Sequence, residues 1–65
     1  MTYYDDNGYE IDVGDKIEFR RWGYRYSGTV NTDFVVVSED GLENHLREIQ
    51  RIADDDSIHI LEKST

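Results

Sequence analysis

The stretch Lys16-Ile17-Glu18-Phe19-Arg20 alternates polar and apolar residues at every step, and this two-residue period constrains the chain more than any other feature. An extended strand throws successive side chains to opposite faces. Ile17 and Phe19 therefore share one face, with Lys16, Glu18 and Arg20 on the other. The period recurs downstream, where Tyr24, Tyr26 and Val30 fall on one face and Arg25 and Thr29 on the other. Residues 34–38 are the most β-branched segment and are expected to form the central strand, while residues 57–63 alternate again as a last strand.

Turn signals separate these runs. Asn7-Gly8 tolerates positive φ and predicts a hairpin within the first eleven residues. The segment from Asp12 to Asp15 reads as a turn, Gly23 as a bend, and Asp40-Gly41 as a tight reversal. Gly28 inside a strand predicts a bulge or sharp bend. Residues 42–52 stay open: Leu42, Leu46 and Ile49 fit a helical period, and a short strand with a single 3₁₀ turn fits equally well. Five or six short strands with a 3₁₀ or helical turn near residues 43–49 imply a small all-β barrel. The expected organisation is an N-terminal hairpin or extension over residues 1–13, a barrel over 14–62 and a tail over 63–65.

A 65-residue chain is near the lower limit for a single core, and without cysteine neither disulfides nor thiolate metal sites can support it. Its eight aromatic residues must supply much of the buried area. No apolar run approaches the ~20 residues of a membrane span, and no export signal opens the chain. A cytoplasmic protein is expected.

Fifteen acidic residues against seven Lys and Arg give a net charge of −8, which disfavours unaided attraction to nucleic acid or anionic membranes. The charge is uneven. Lys16, Arg20, Arg21 and Arg25 against Glu18 give +3, whereas the remaining three basic and fourteen acidic residues give −11. Trp22 and Tyr24 interleave with this basic run. Bases could stack on Trp22, Tyr24 or Tyr26 while Arg20, Arg21 and Arg25 pair with phosphates or carboxylates. The competing reading places Tyr24 and Tyr26 in the core and leaves the arginines to neutralise neighbouring carboxylates, with Trp22 and Arg25 the better candidates for exposure. Arg47 and Arg51 are four apart, so a helical turn would set them side by side as an addition to the face.

Asp5, Asp6, Asp12, Asp54, Asp55 and Asp56 form an alternative acidic surface, able to imitate the phosphates of a nucleic acid or simply to keep a small protein soluble. No metal is expected. Aligning Gly8 with the invariant glycine of a calcium loop puts Tyr3 and Gly14 where Asp and Glu are required, which excludes an EF-hand. No cofactor is expected either: phosphate-binding glycine loops are absent. His45 and His59 are the only histidines, and the serines show no elbow or triad spacing, so the enzyme reading has no footing.

Gly14-Asp15, Gly28-Thr29-Val30, the β-branched run 35–37, the acidic turn at Asp40-Gly41, and Leu46, Ile49 and Ile52 together resemble the small SH3-like barrels of the KOW and Tudor-like type. Residues 5–17 resemble the opening segment of small phage and prophage proteins of the YopX type. The resemblance spans roughly residues 5–52. It implies a five- to six-stranded SH3-like barrel and a binding role, and fold alone does not choose among nucleic acid, peptide and protein ligands. Nucleic-acid-binding KOW modules are not acidic, and this departure argues against a direct nucleic-acid role.

The expected function is a non-catalytic binding module acting through Arg20, Arg21, Trp22, Tyr24, Arg25, Arg47 and Arg51. Its expected partner is a protein within a nucleic-acid-processing complex, with nucleic acid as a weak second ligand and neither membrane nor small-molecule substrate. The alternative is an acidic phage-type mimic that inhibits a nucleic-acid enzyme. A monomer or weak dimer is expected, pairing of an exposed strand with its copy being the route to the dimer.

Overall fold

Residues 2–64 are described by a computed structural model; Met1 and Thr65, the ends of the expected extension and tail, lie outside the described residues. The domain is mostly β with one short helix. Strands β1 (Tyr3–Tyr4) and β2 (Glu10–Ile11) form a two-stranded hairpin. Strands β3 (Lys16–Arg21), β4 (Tyr24–Val30), β5 (Val35–Ser38), β6 (Glu43–His45) and β7 (His59–Glu62) form an antiparallel sheet ordered β6-β5-β4-β3-β7. Helix α1 (Leu46–Ile52) sits between the last two. Strands β6 and β7 are the two edges, and the ladder stays open between them.

Alternation sets the core as expected for β3: Ile17 and Phe19 are buried, and Lys16 and Arg20 are exposed. Val30, Val36, Leu46, Ile49 and Ile58 complete one cluster with them. The first hairpin is no appendage, because Tyr3 and Ile11 are buried in the same cluster and Tyr3 packs on Phe34 with ring centroids 5.5 Å apart.

Two expectations change, and the open reading of residues 42–52 is settled. The central strand is β4 rather than residues 34–38, because β5 and β6 lie to one side of β4 and β3 and β7 to the other; Phe34, with a positive φ of 60°, ends a turn that begins at Asn31, so β5 starts only at Val35. The Asn31 side chain holds that turn by accepting the N–H groups of Asp33 and Val35. Gly28 marks a close approach and not a bulge: its pairing with Ile17 is regular, but a Cβ there would stand 2.8 Å from the Val37 carbonyl carbon and 2.9 Å from a Val36 methyl. The register irregularity lies between Lys16 and Ile17, opposite β7. Residues 43–49 divide between a strand and a helix. His45 ends edge strand β6 and caps α1, its Nδ1 accepting the Arg47 N–H at 3.0 Å.

Asp15 is fully buried, as a charged residue rarely is. Its carboxylate accepts the Asp12 N–H at 2.8 Å, the Ser64 N–H at 2.6 Å and the Lys63 ammonium at 2.7 Å. Burial alone would raise its pKa; these partners outweigh burial and hold it at about 2. Lys63 and Ser64, expected as tail, therefore anchor β7 to the turn that opens β3.

Candidate interaction face

The hairpin joining β3 and β4 carries the basic and aromatic run. Arg21 pairs with Tyr24, which leaves Trp22 and Gly23 as a two-residue turn. Both have positive φ, 55° and 80°, the requirement of a type I′ turn. Gly23 adopts this freely, whereas a bulky Trp in the left-handed region is strained. Asp54 compensates from a distant loop. Its carboxylate accepts the Trp22 N–H at 3.2 Å and the Gly23 N–H at 3.1 Å, and its own N–H donates to the Arg20 carbonyl at 2.7 Å.

The core thins out along the inner face of this hairpin. Phe19 and Tyr26 stack with centroids 5.4 Å apart, and Tyr26 is half-buried. Tyr24 and Trp22 project beyond, 69% and 76% exposed. Of the two tyrosines expected either in the core or on the surface, Tyr26 joins the core and Tyr24 does not, although both lie on one face. Strand length decides the difference: β4 outruns the elements that could cover Tyr24. The Arg21 guanidinium lies over the Trp22 ring, 4.1 Å from its centroid, a contact worth ~0.5–1 kcal/mol when exposed.

On the outer face, Arg20 and Arg25 stand directly opposite each other. Like charges in that position repel. Arg25 is partly relieved by Glu18 at 3.6 Å, and Arg25 itself is largely in solvent, so the pair contributes little stability. The tip thus presents two aromatic rings between three arginines.

Arg47 and Arg51 both lie on the exposed side of α1, since Leu46 and Ile49 face the core. Arg51 is 3.8 Å from Glu48 within the helix. The link between helix and hairpin runs through Ile52, which shares a small groove of about 110 Å³ with Phe19, Trp22, Tyr26 and Leu42.

Most of the alternative acidic residues are occupied by the chain itself. Asp5 is buried and not on the surface; its carboxylate accepts the N–H groups of Asn7 and Tyr9. Asp6 accepts the Ile58 N–H at 2.7 Å, and Asp12 pairs with Lys63 at 2.9 Å. Asp54 clamps the hairpin turn. Asp55 and Asp56 are exposed. Sequence reasoning missed the roles of Asp6, Asp12 and Asp54 because their partners lie 31 to 52 residues away, whereas the partners of Asp5 are local.

It also missed a groove of about 390 Å³ between residues 24–27 and the turn after β5, at whose wall sits Ser38, 6% exposed. Among the described residues no helix is long and apolar enough to cross a membrane. No protein-family model matches the chain, and neither does any curated protein or solved structure.

Proposed function

We propose that this chain is a non-catalytic binding module of SH3-like build that grips an acidic surface of a protein partner through the tip of the β3–β4 hairpin. A single observation carries the reading: Trp22 is three-quarters exposed yet held in a strained turn by a carboxylate from another part of the chain. A large aromatic side chain, kept out of the core at a conformational cost, is the kind of anchor that interfaces use. Arg20, Arg21 and Arg25 around it favour an anionic partner. The net charge of −8 works against free nucleic acid, and a partner protein in a nucleic-acid-processing complex fits both charges. What supports an SH3-like build is the strand order. A four-strand meander is followed by a short helix and a return strand beside the first, which is what the resemblance to KOW and Tudor-like barrels calls for. A chain without cysteine suits the reducing cytoplasm.

Trp22 is the only tryptophan, so its emission reports on the tip. Titration with polyglutamate, single-stranded DNA, duplex DNA and RNA at low and high salt tests the reading. The expected result is a response to polyglutamate that Arg20→Glu with Arg25→Glu abolishes. A response confined to a nucleic acid and falling steeply with salt would transfer the grip to phosphates. Indifference to every polyanion overturns the proposal.

A further inference from the structure

Strand β4 is longer on one side than on the other. Against β3 it pairs from Tyr24 to Thr29, but against β5 its pairing begins only at Gly28, opposite Ser38. Residues 24–27 therefore have a strand neighbour on the β3 side alone. In a two-residue hairpin the residues flanking the turn bond directly across it, and the direction alternates thereafter. Tyr24 and Tyr26 thus point their N–H groups at β3, and Arg25 and Ser27 point theirs at the open side. Val30 keeps the same parity, exchanging bonds with Asp15 and Gly14 on the β3 side.

The groove of about 390 Å³ lies along this open edge. One wall is residues 24–27, taken from both faces of the strand, and the other is Ser38, Glu39 and Asp40. A groove lined by even and odd residues of one strand follows its edge and not a face. Ser38 Oγ, in a residue 6% exposed, is the one buried side-chain polar atom without a hydrogen-bond partner among the described residues. Buried hydroxyls are normally satisfied. The β5 chain turns away at this point, where the Gly41 N–H donates to the Ser38 carbonyl. The line of β5 is left vacant for the length of residues 24–27, roughly 13 Å at strand rise.

We infer that this notch takes an extended segment of the partner protein as an added strand, antiparallel to β4 and continuing the line of β5. Main-chain bonds to Arg25 and Ser27 supply affinity, as in other strand additions. The line of β5 sets the direction, and charge then orders the side chains. Glu39 and Asp40 are exposed at the end where the segment enters, and Arg25 and Arg21 lie toward the tip where it leaves. The segment carries a basic residue first and an acidic residue about three positions later, with a polar group for Ser38 Oγ near its start. This inference rests on the reading of the β3–β4 hairpin as the binding face and names how the partner lies on it.

The test uses the full chain and a displayed library of random peptides, followed by amide exchange with the peptides that enrich. In the free chain the Arg25 and Ser27 amides should exchange much faster than that of Tyr26; equal protection of all three means the edge is already covered and overturns the inference. Enriched peptides should carry the basic-before-acidic order and slow exchange at Arg25 and Ser27 by about tenfold or more. Ser27→Pro removes the donor on the open side and sets ring carbons in its place; it should weaken binding while thermal unfolding stays close to that of the parent. No enrichment, or enriched peptides that leave both amides exchanging as in the free chain, overturns the strand addition. Trp22→Ala separates the two claims. Peptides that need Trp22 but leave the amides unprotected keep the tip and sink the added strand, whereas peptides that protect the amides equally with Trp22→Ala keep the strand and sink the tip.

Discussion

Asp54 closes on Trp22 across 32 residues of sequence, its carboxylate bridging the two N–H groups of the hairpin turn. The loop that supplies Asp54 follows α1, so the conformation of the exposed tip depends on the packing of the helix. Asp54→Ala should destabilise the domain by about 1–3 kcal/mol, the cost of two backbone donors losing a charged acceptor. Asp54→Asn, which keeps one acceptor oxygen, should cost less. Urea midpoints measure both, and Trp22 anisotropy should fall in the Ala variant as the tip loosens.

Trp22 itself should be a poor contributor to stability. Its φ of 55° suits Asn or Gly. Trp22→Asn gains relief of ~1–2 kcal/mol from the left-handed region and loses ~0.5–1 kcal/mol of contact with Arg21. Thermal unfolding should show a variant as stable as the parent or more so, while polyglutamate binding, followed by calorimetry because the variant has no tryptophan, weakens by about tenfold or more. A large loss of stability would mean that the ring packs on more than Arg21.

Gly28→Ala should be among the most damaging single changes. The new methyl meets backbone at Val37 and a methyl of Val36, and backbone cannot rotate out of the way. Forcing β4 and β5 apart should cost roughly 2–4 kcal/mol, beyond the usual range for surface positions. Circular dichroism and denaturation of the variant check this.

Acid should unfold the protein through Asp15. Its folded pKa of about 2 lies below the ordinary ~3.9 of an aspartate. A depressed folded value means the stabilisation is fully present above pH ~4 and is lost as pH falls toward 2; it amounts to about 2 kcal/mol. Lys63 is shifted the other way, raised first by its bond to Asp15 and then by Asp12, so its share is present below the ordinary lysine pKa and lost in strong alkali. Asp15→Asn should lower stability at neutral pH and flatten the acid limb of a pH–stability curve. An unchanged limb would assign acid unfolding to other carboxylates.

Local chemistry made much of this legible. The alternation of Lys16 to Arg20, the bend at Gly23 and the last strand near His59 are consequences of neighbours in sequence, and each is found where those neighbours require. The exposure of Trp22 follows from the same turn. What stayed hidden depends on distant partners. Asp15 and Asp54 look no different in sequence from the exposed Asp55 and Asp56, and only the folded chain decides that the first two are buried or half-buried acceptors of backbone N–H groups. Gly28 reads as a bulge because its actual reason, the approach of Val37, belongs to another strand. Phe34 reads as strand because β-branched neighbours surround it, yet the Asn31 turn takes its backbone first.

The pairing of β7 with β3 also orders events in time. The meander from β3 to β6 is joined by short local turns, so its pairings close over few residues. Its β3 edge then stays bare until residues 59–62 arrive some forty positions later, and Lys63 locks onto Asp15 only after that. A folding chain that closes the meander first therefore carries an unpaired sheet edge, beside a carboxylate that still lacks its counter-ion, until the slower long-range pairing forms.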